Sequence, residues 1–105
     1  MVIEIAALTV KDGQNAAFEK AFGQAQRYIA ASAHCRRYAL THCIEDPARY
    51  VLRIEWDSLE GHVDGFRGSS DYQEYRALLL PYYAAPVDLY HYTVVHDGEG
   101  ALKGD

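Results

Sequence analysis

The first five residues, Met1-Val2-Ile3-Glu4-Ile5, lack the basic stretch and long apolar run of a secretory leader. No segment approaches the roughly 20 consecutive apolar residues of a membrane-spanning helix. Positive charge is also scarce, with ten Lys and Arg against fifteen Asp and Glu and a formal net charge of −5. That balance disfavours phosphate backbones and anionic membranes, so neither nucleic acid nor a membrane is expected as a partner. Cysteine is limited to Cys35 and Cys43. At about 3.3 Å per residue their spacing along one strand separates them by roughly 26 Å, too far for a disulfide. They read as small apolar side chains in a reducing, cytoplasmic setting. Ligand spacing is missing among His34, His42, His62, His91 and His96, so no metal site is expected. Gly61, Gly65 and Gly68 do not form the strand-to-helix loop that cradles phosphate.

What remains is a 105-residue chain, half hydrophobic and about a quarter charged, enough for one domain and one core. Val2 to Val10 is rich in Val, Ile, Leu and Thr and predicts a strand, closed by the turn Lys11-Asp12-Gly13. From Gln14 to Ser32, Phe18, Ala21, Phe22, Ala25 and Ile29 recur at helical spacing, with Asp12 as the candidate cap. His34 to Ile44 alternates, placing Arg36, Tyr38, Leu40 and His42 opposite Cys35, Arg37 and Ala39. After the turn Glu45-Asp46-Pro47-Ala48, Arg49 to Asp57 returns as a strand with Tyr50, Leu52, Ile54 and Trp56 on the face that meets the helices.

Asp57 or Ser58 caps the next helix, which Gly65 and Gly68 interrupt before a second run from about Ser70. There Tyr72, Tyr75, Leu79 and Tyr82 or Tyr83 share one stripe, ended by Pro81 and Pro86. Val87 to His96 predicts a last strand. The fold class is therefore α+β, a ferredoxin-like βαββαβ domain over residues 1–96, with a four-stranded antiparallel sheet and helices on one face. Residues 97–105 read as a flexible tail. The last strand is apolar on both sides, Leu89 and Val95 against Tyr90, Tyr92 and Val94, which calls for a second subunit.

The run Tyr50-Val51-Leu52-Arg53-Ile54-Glu55-Trp56-Asp57-Ser58-Leu59-Glu60-Gly61-His62, with Phe66-Arg67 and Ser70-Asp71-Tyr72 after it, resembles the antibiotic biosynthesis monooxygenase domain. The resemblance extends from Val2 to His96. It implies a homodimeric α+β barrel with a pocket between sheet and helices in each subunit. It also implies oxygenation of quinols or polycyclic anthrones without metal or flavin, so no cofactor is expected. A haem-degrading branch of the wider group carries an Asn in its first strand. Here the only Asn is Asn15, outside that strand, which argues against haem breakdown.

Oxidising a phenol-like molecule without a cofactor requires that the substrate itself pass electrons to O₂, which it does readily as an anion. A base must take its proton, and neutral donors must shelter the negative oxygen. His62 is the candidate base, and the Trp56 Nε1–H and Tyr72 O–H are candidate donors. Phe66, Tyr75 and Tyr82 are candidate walls for a small aromatic ligand, and His91 is a candidate substrate contact. Each also fits plain packing, since large aromatics are more often core than catalyst. Two readings stay open beside the oxygenase: a non-catalytic ligand-binding barrel, and an isomerase or decarboxylase using a His base alone.

Overall fold

The computed structural model describes residues 1–102; the end of the expected tail, residues 103–105, lies outside them. The β-forming run of the N-terminal segment becomes β1 (Val2–Thr9). Gly13, at φ 76°, makes the turn into α1 (Asn15–Ala30) in a left-handed conformation that suits glycine. β2 (Cys35–His42) and β3 (Arg49–Trp56) form the expected hairpin. A π-helical segment, Gly61–Phe66, leads to α2 (Ser70–Leu79), a 3₁₀ turn at Leu80–Tyr82, and β4 (Asp88–Tyr92). The sheet is antiparallel in the order β2-β3-β1-β4, with helices over one face, so the ferredoxin-like expectation holds. No helix among the described residues is long and apolar enough to cross a membrane.

The helical stripe read from the sequence is the buried one: Phe18, Ala21, Phe22, Ala25 and Ile29 pack onto Tyr50, Leu52, Ile54 and Trp56 of β3 and Ala6, Leu8 and Val10 of the first segment. Each fully buried large side chain there contributes about 1.5–3 kcal/mol. Ser69 caps α2 by accepting from the Tyr72 N–H at 3.2 Å, one residue before the expected start.

Three local expectations change. Asp12 does not cap α1; Gln14 occupies the cap position and no side chain accepts there. β2 is not a strict alternation, because a bulge between Cys35 and Arg37 brings Cys35 opposite Trp56 and into the core cluster. The last strand stops at Tyr92, leaving Val94 and Val95 exposed beyond it. On the face away from the helices, Ile3 and Ile5 of β1 pair with Tyr92 and Tyr90 of β4, and both tyrosines are more than half exposed.

Candidate active site

β1 is flanked by β3 and β4, and its alternation points Glu4 to the same face as Ala6 and Leu8. Glu4 lies opposite Ile54 on one side and His91 on the other. A carboxyl group buried among apolar side chains is costly unless donors meet it. One does so, Trp56 Nε1–H donating to Glu4 Oε1 at 2.9 Å, and His62 Nε2 lies close by, 3.1 Å from the same atom.

His62 is delivered by the π-helical segment. Ser58 Oγ accepts from the Gly61 N–H at 2.9 Å at the start of the segment, and a wide-turn bond from Arg67 N–H to the His62 carbonyl, 2.9 Å, spans it. Its glycines have a packing role, since a Cβ at Gly61 or Gly65 would run into the His34 ring, which is tied by Nδ1 to Asp57 Oδ2 at 3.0 Å. With that ring against one side, the segment turns His62 and Phe66 inward, four residues apart on one side of the coil. The His62 ring stacks on Trp56 at 4.7 Å between centroids, and its Nδ1 lies 2.7 Å from His91 Nε2.

These groups open onto a cavity of about 900 Å³ between the sheet and the second helical region. Phe66, Tyr72, Tyr75, Tyr83, Leu52 and Ile54 supply aromatic and apolar wall, and Arg67 and Arg76 lie among the lining residues as exposed cations. The Phe66 ring meets Tyr72 and Tyr75 edge-on at 5.6 and 5.7 Å. Burial, reinforced by neighbouring tyrosines and Glu4, pushes the Tyr75 and Tyr83 phenols well above their ordinary value of 10, so they stay protonated donors.

Burial also sets the states of the acid–base groups. It pushes Glu4 up to about 7, against the opposing pull of the Trp56 hydrogen bond and the Arg67 charge. It pushes His62 down to about 4, with His91 and Arg67 acting in the same direction. His62 is therefore neutral at pH 7 and donates through a single nitrogen. His62 Nδ1 shares a hydrogen bond with His91 Nε2, and Nε2 faces Glu4 Oε1, so the tautomer protonated at Nε2 turns its proton toward the carboxyl group. The three groups form a line, and no cluster of three metal-ligating side chains is found among the described residues.

The sequence-derived candidates fall into distinct places. His62, Tyr72, Phe66, Tyr75 and His91 all border the cavity. Trp56 does not: it is fully buried behind His62 and its N–H is directed at Glu4, so it is not placed as a donor to a substrate oxygen. His62 has Nδ1 hydrogen-bonded to His91 and Nε2 turned to Glu4 Oε1, 3.1 Å away. Tyr82 packs against Phe18 at 6.4 Å, while its neighbour Tyr83 takes the wall position. His42 is remote, stacked on Tyr50 at 4.2 Å, and Asn15 donates to the Pro47 carbonyl at 2.6 Å. Glu4 and Tyr83 are the residues that sequence reasoning missed. Glu4 had one visible signal, as the sole charged residue in a strand otherwise made of Val, Ile, Ala, Leu and Thr.

The profile of the antibiotic biosynthesis monooxygenase family matches residues 1–78. The uncharacterised protein YczJ of Bacillus subtilis (strain 168) is 41% identical over 95 residues, covering 90% of this chain and 100% of that protein. A Bordetella bronchiseptica crystal structure, provisionally assigned as an antibiotic biosynthesis monooxygenase, is 35% identical with a TM-score of 0.86, over 90% of this chain and 97% of that one. SnoaB, a cofactor-independent oxygenase from Streptomyces nogalater, shares the fold with a TM-score of 0.80 at 17% identity, over 91% of this chain and 94% of that one. The matched span runs from Glu4 through Trp56 and His62 to Tyr75, and the chain belongs to the antibiotic biosynthesis monooxygenase family.

Proposed function

We propose that the chain is a cofactor-independent monooxygenase acting on a small aromatic or polycyclic phenol, quinol or anthrone. The observation that carries this reading is the buried Glu4–His62–His91 line opening onto an aromatic-walled cavity. Such a site can ionise a weakly acidic ring system, hold it against aromatic and apolar wall, and offer Tyr72, Tyr75 and Tyr83 O–H donors to the oxygen on which charge develops. The ionised substrate is then the electron source for O₂. The volume suits a ligand of a few fused rings.

Oxygen uptake tests it. With anthrone or a naphthoquinol, consumption should exceed the spontaneous rate and fall roughly 100-fold or more in His62→Ala, with Trp56→Phe also impaired through the lost bond to Glu4. Wild-type uptake no faster than the spontaneous rate rules the reading out. Substrate turnover that persists under nitrogen favours an isomerase or decarboxylase instead.

We further propose that the protein works as a cytoplasmic homodimer joined through the open sheet face. Exposed Tyr90 and Tyr92 beside Ile3 and Ile5 support the interface, and free Cys35 and Cys43 fit a reducing compartment. Light scattering at micromolar concentration should give twice the 11.8 kDa chain mass; a monomer overturns the assembly.

A further inference from the structure

We propose that Glu4, through Oε2, is the catalytic acid–base group of this site, and that His62 and His91 are positioning residues that hold it. This deepens the oxygenase reading and rests on it for the identity of the substrate.

The hydrogen-bond geometry makes the case by elimination. Both close polar contacts of Glu4 are at Oε1, the Trp56 N–H bond at 2.9 Å and His62 Nε2 at 3.1 Å. Oε2 has no partner among the described residues, yet no side-chain oxygen or nitrogen among them is both sealed from the surface and unpartnered, and Glu4 lines the cavity. The free oxygen therefore opens into it. His62 Nδ1 is bonded to His91 and its Nε2 faces Glu4 itself, while Trp56 is sealed behind it. The arrangement is also indifferent to the proton: with Oε2 ionised or protonated, Oε1 still accepts from Trp56, and the His62–His91 bond is untouched. A proton can arrive and leave without any neighbour moving, which is the preorganisation a proton-transfer group requires.

For an anthrone-type methylene the steps balance. Glu4 takes one C–H proton, and the carbanion gives its electron pair to O₂, forming a C–O bond and a peroxide anion. Glu4 returns the proton to that anion, giving a hydroperoxide. It then takes the second C–H proton as the O–O bond breaks, and the departing hydroxide recovers it as water. The methylene becomes a carbonyl, one oxygen atom enters the product, and the other leaves as water, with all electrons drawn from the substrate.

Glu4 is surrounded by Trp56 of β3, His62 of the π-helical segment, Arg67 just after it, His91 of β4, Tyr75 of α2, Tyr83 beyond it, and Cys35 of β2. Burial holds Glu4 near 7 against the pull of the Trp56 hydrogen bond and the Arg67 charge, so a rate limited by Glu4 as base should rise with pH through that value.

The test separates proton removal from oxidation. Deuterium exchange into the methylene of anthrone is followed by NMR in D₂O under nitrogen, and oxygen uptake is followed separately in air. Wild type should accelerate both. Glu4→Gln, which keeps an oxygen for Trp56 and His62, should lose both by about 100-fold or more, and Glu4→Asp should recover part of the exchange. Thermal melting checks that the variants fold. Wild-type exchange in Glu4→Gln overturns the assignment of Glu4, whether or not uptake persists. Exchange that depends on Glu4, with no uptake in air, keeps Glu4 as the base and overturns the oxygenase. Absence of both in wild type overturns both. A ¹³C titration of Glu4 gives a substrate-free check: a midpoint in the ordinary carboxylate range of about 4 contradicts the proposal.

Discussion

One sheet face is used in two ways. Under α1, Phe18 and Ile29 are fully buried, and Phe18 meets the Tyr50 ring edge-on at 4.8 Å. Beneath the π-helical segment and α2, the same face carries a carboxyl group and ends in a cavity. The first half keeps its polar atoms at the margin, as where Tyr50 O–H donates to Glu19 at 2.5 Å. The second buries titratable groups against the preference of each for water. Stability and chemistry are thus laid side by side on one set of strands, with β1 and β3 common to both.

That division can be broken from either side. The largest effect on folding should come from Phe18→Ala, which empties a fully buried aromatic site and should cost about 3–5 kcal/mol in urea unfolding, with the turnover of the folded fraction preserved. If oxygen uptake per folded molecule collapses as well, the two halves are not separable. A smaller effect is expected from Gly61→Ala, whose added Cβ meets Asp57 Oδ1 and the His34 ring. Displacing that packing should cost about 1–3 kcal/mol and reduce activity more than Phe18→Ala does, because His62 is the next residue. Unchanged activity would show that His34 does not hold the segment in place.

The subtlest test is the pH dependence of stability. Folded Glu4 holds its proton more tightly than the unfolded chain, so its contribution falls as pH rises from 4.5 to about 7. Folded His62 holds its proton less tightly, so its contribution rises between about 4 and 6.5. The two slopes oppose each other over most of their span. Relative to wild type, Glu4→Gln should therefore gain stability with rising pH over that window, and His62→Gln should lose it. Urea midpoints measured across pH 4 to 7.5 give the signs, and parallel curves for all three proteins would contradict the burial-driven shifts of Glu4 and His62.

The architecture was legible because it rests on periodicity. The α1 stripe from Phe18 to Ile29 and the β3 face from Tyr50 to Trp56 are repeating burial patterns, and both are buried as read. The site was legible only in part. His62, Phe66 and Tyr72 stand in a recognisable run, whereas the importance of Glu4 depends on β1 lying between β3 and β4, a pairing across about 50 residues on one side and nearly 90 on the other. The direction of the Trp56 N–H was hidden for a related reason, since a strand-end indole shows that it is buried but not where its N–H points. The bulge before Arg37 was equally hidden, because Cys35-Arg36-Arg37 carries neither glycine nor proline to mark it.

Trp56 is the only tryptophan in the chain, and it is joined to Glu4 through its N–H and to His62 through its ring face. Its fluorescence is therefore a single-source signal from the middle of the proton network. Emission should change as Glu4 titrates and when a ligand reaches the cavity, so occupancy and protonation can be followed in the unlabelled protein before any substrate is known.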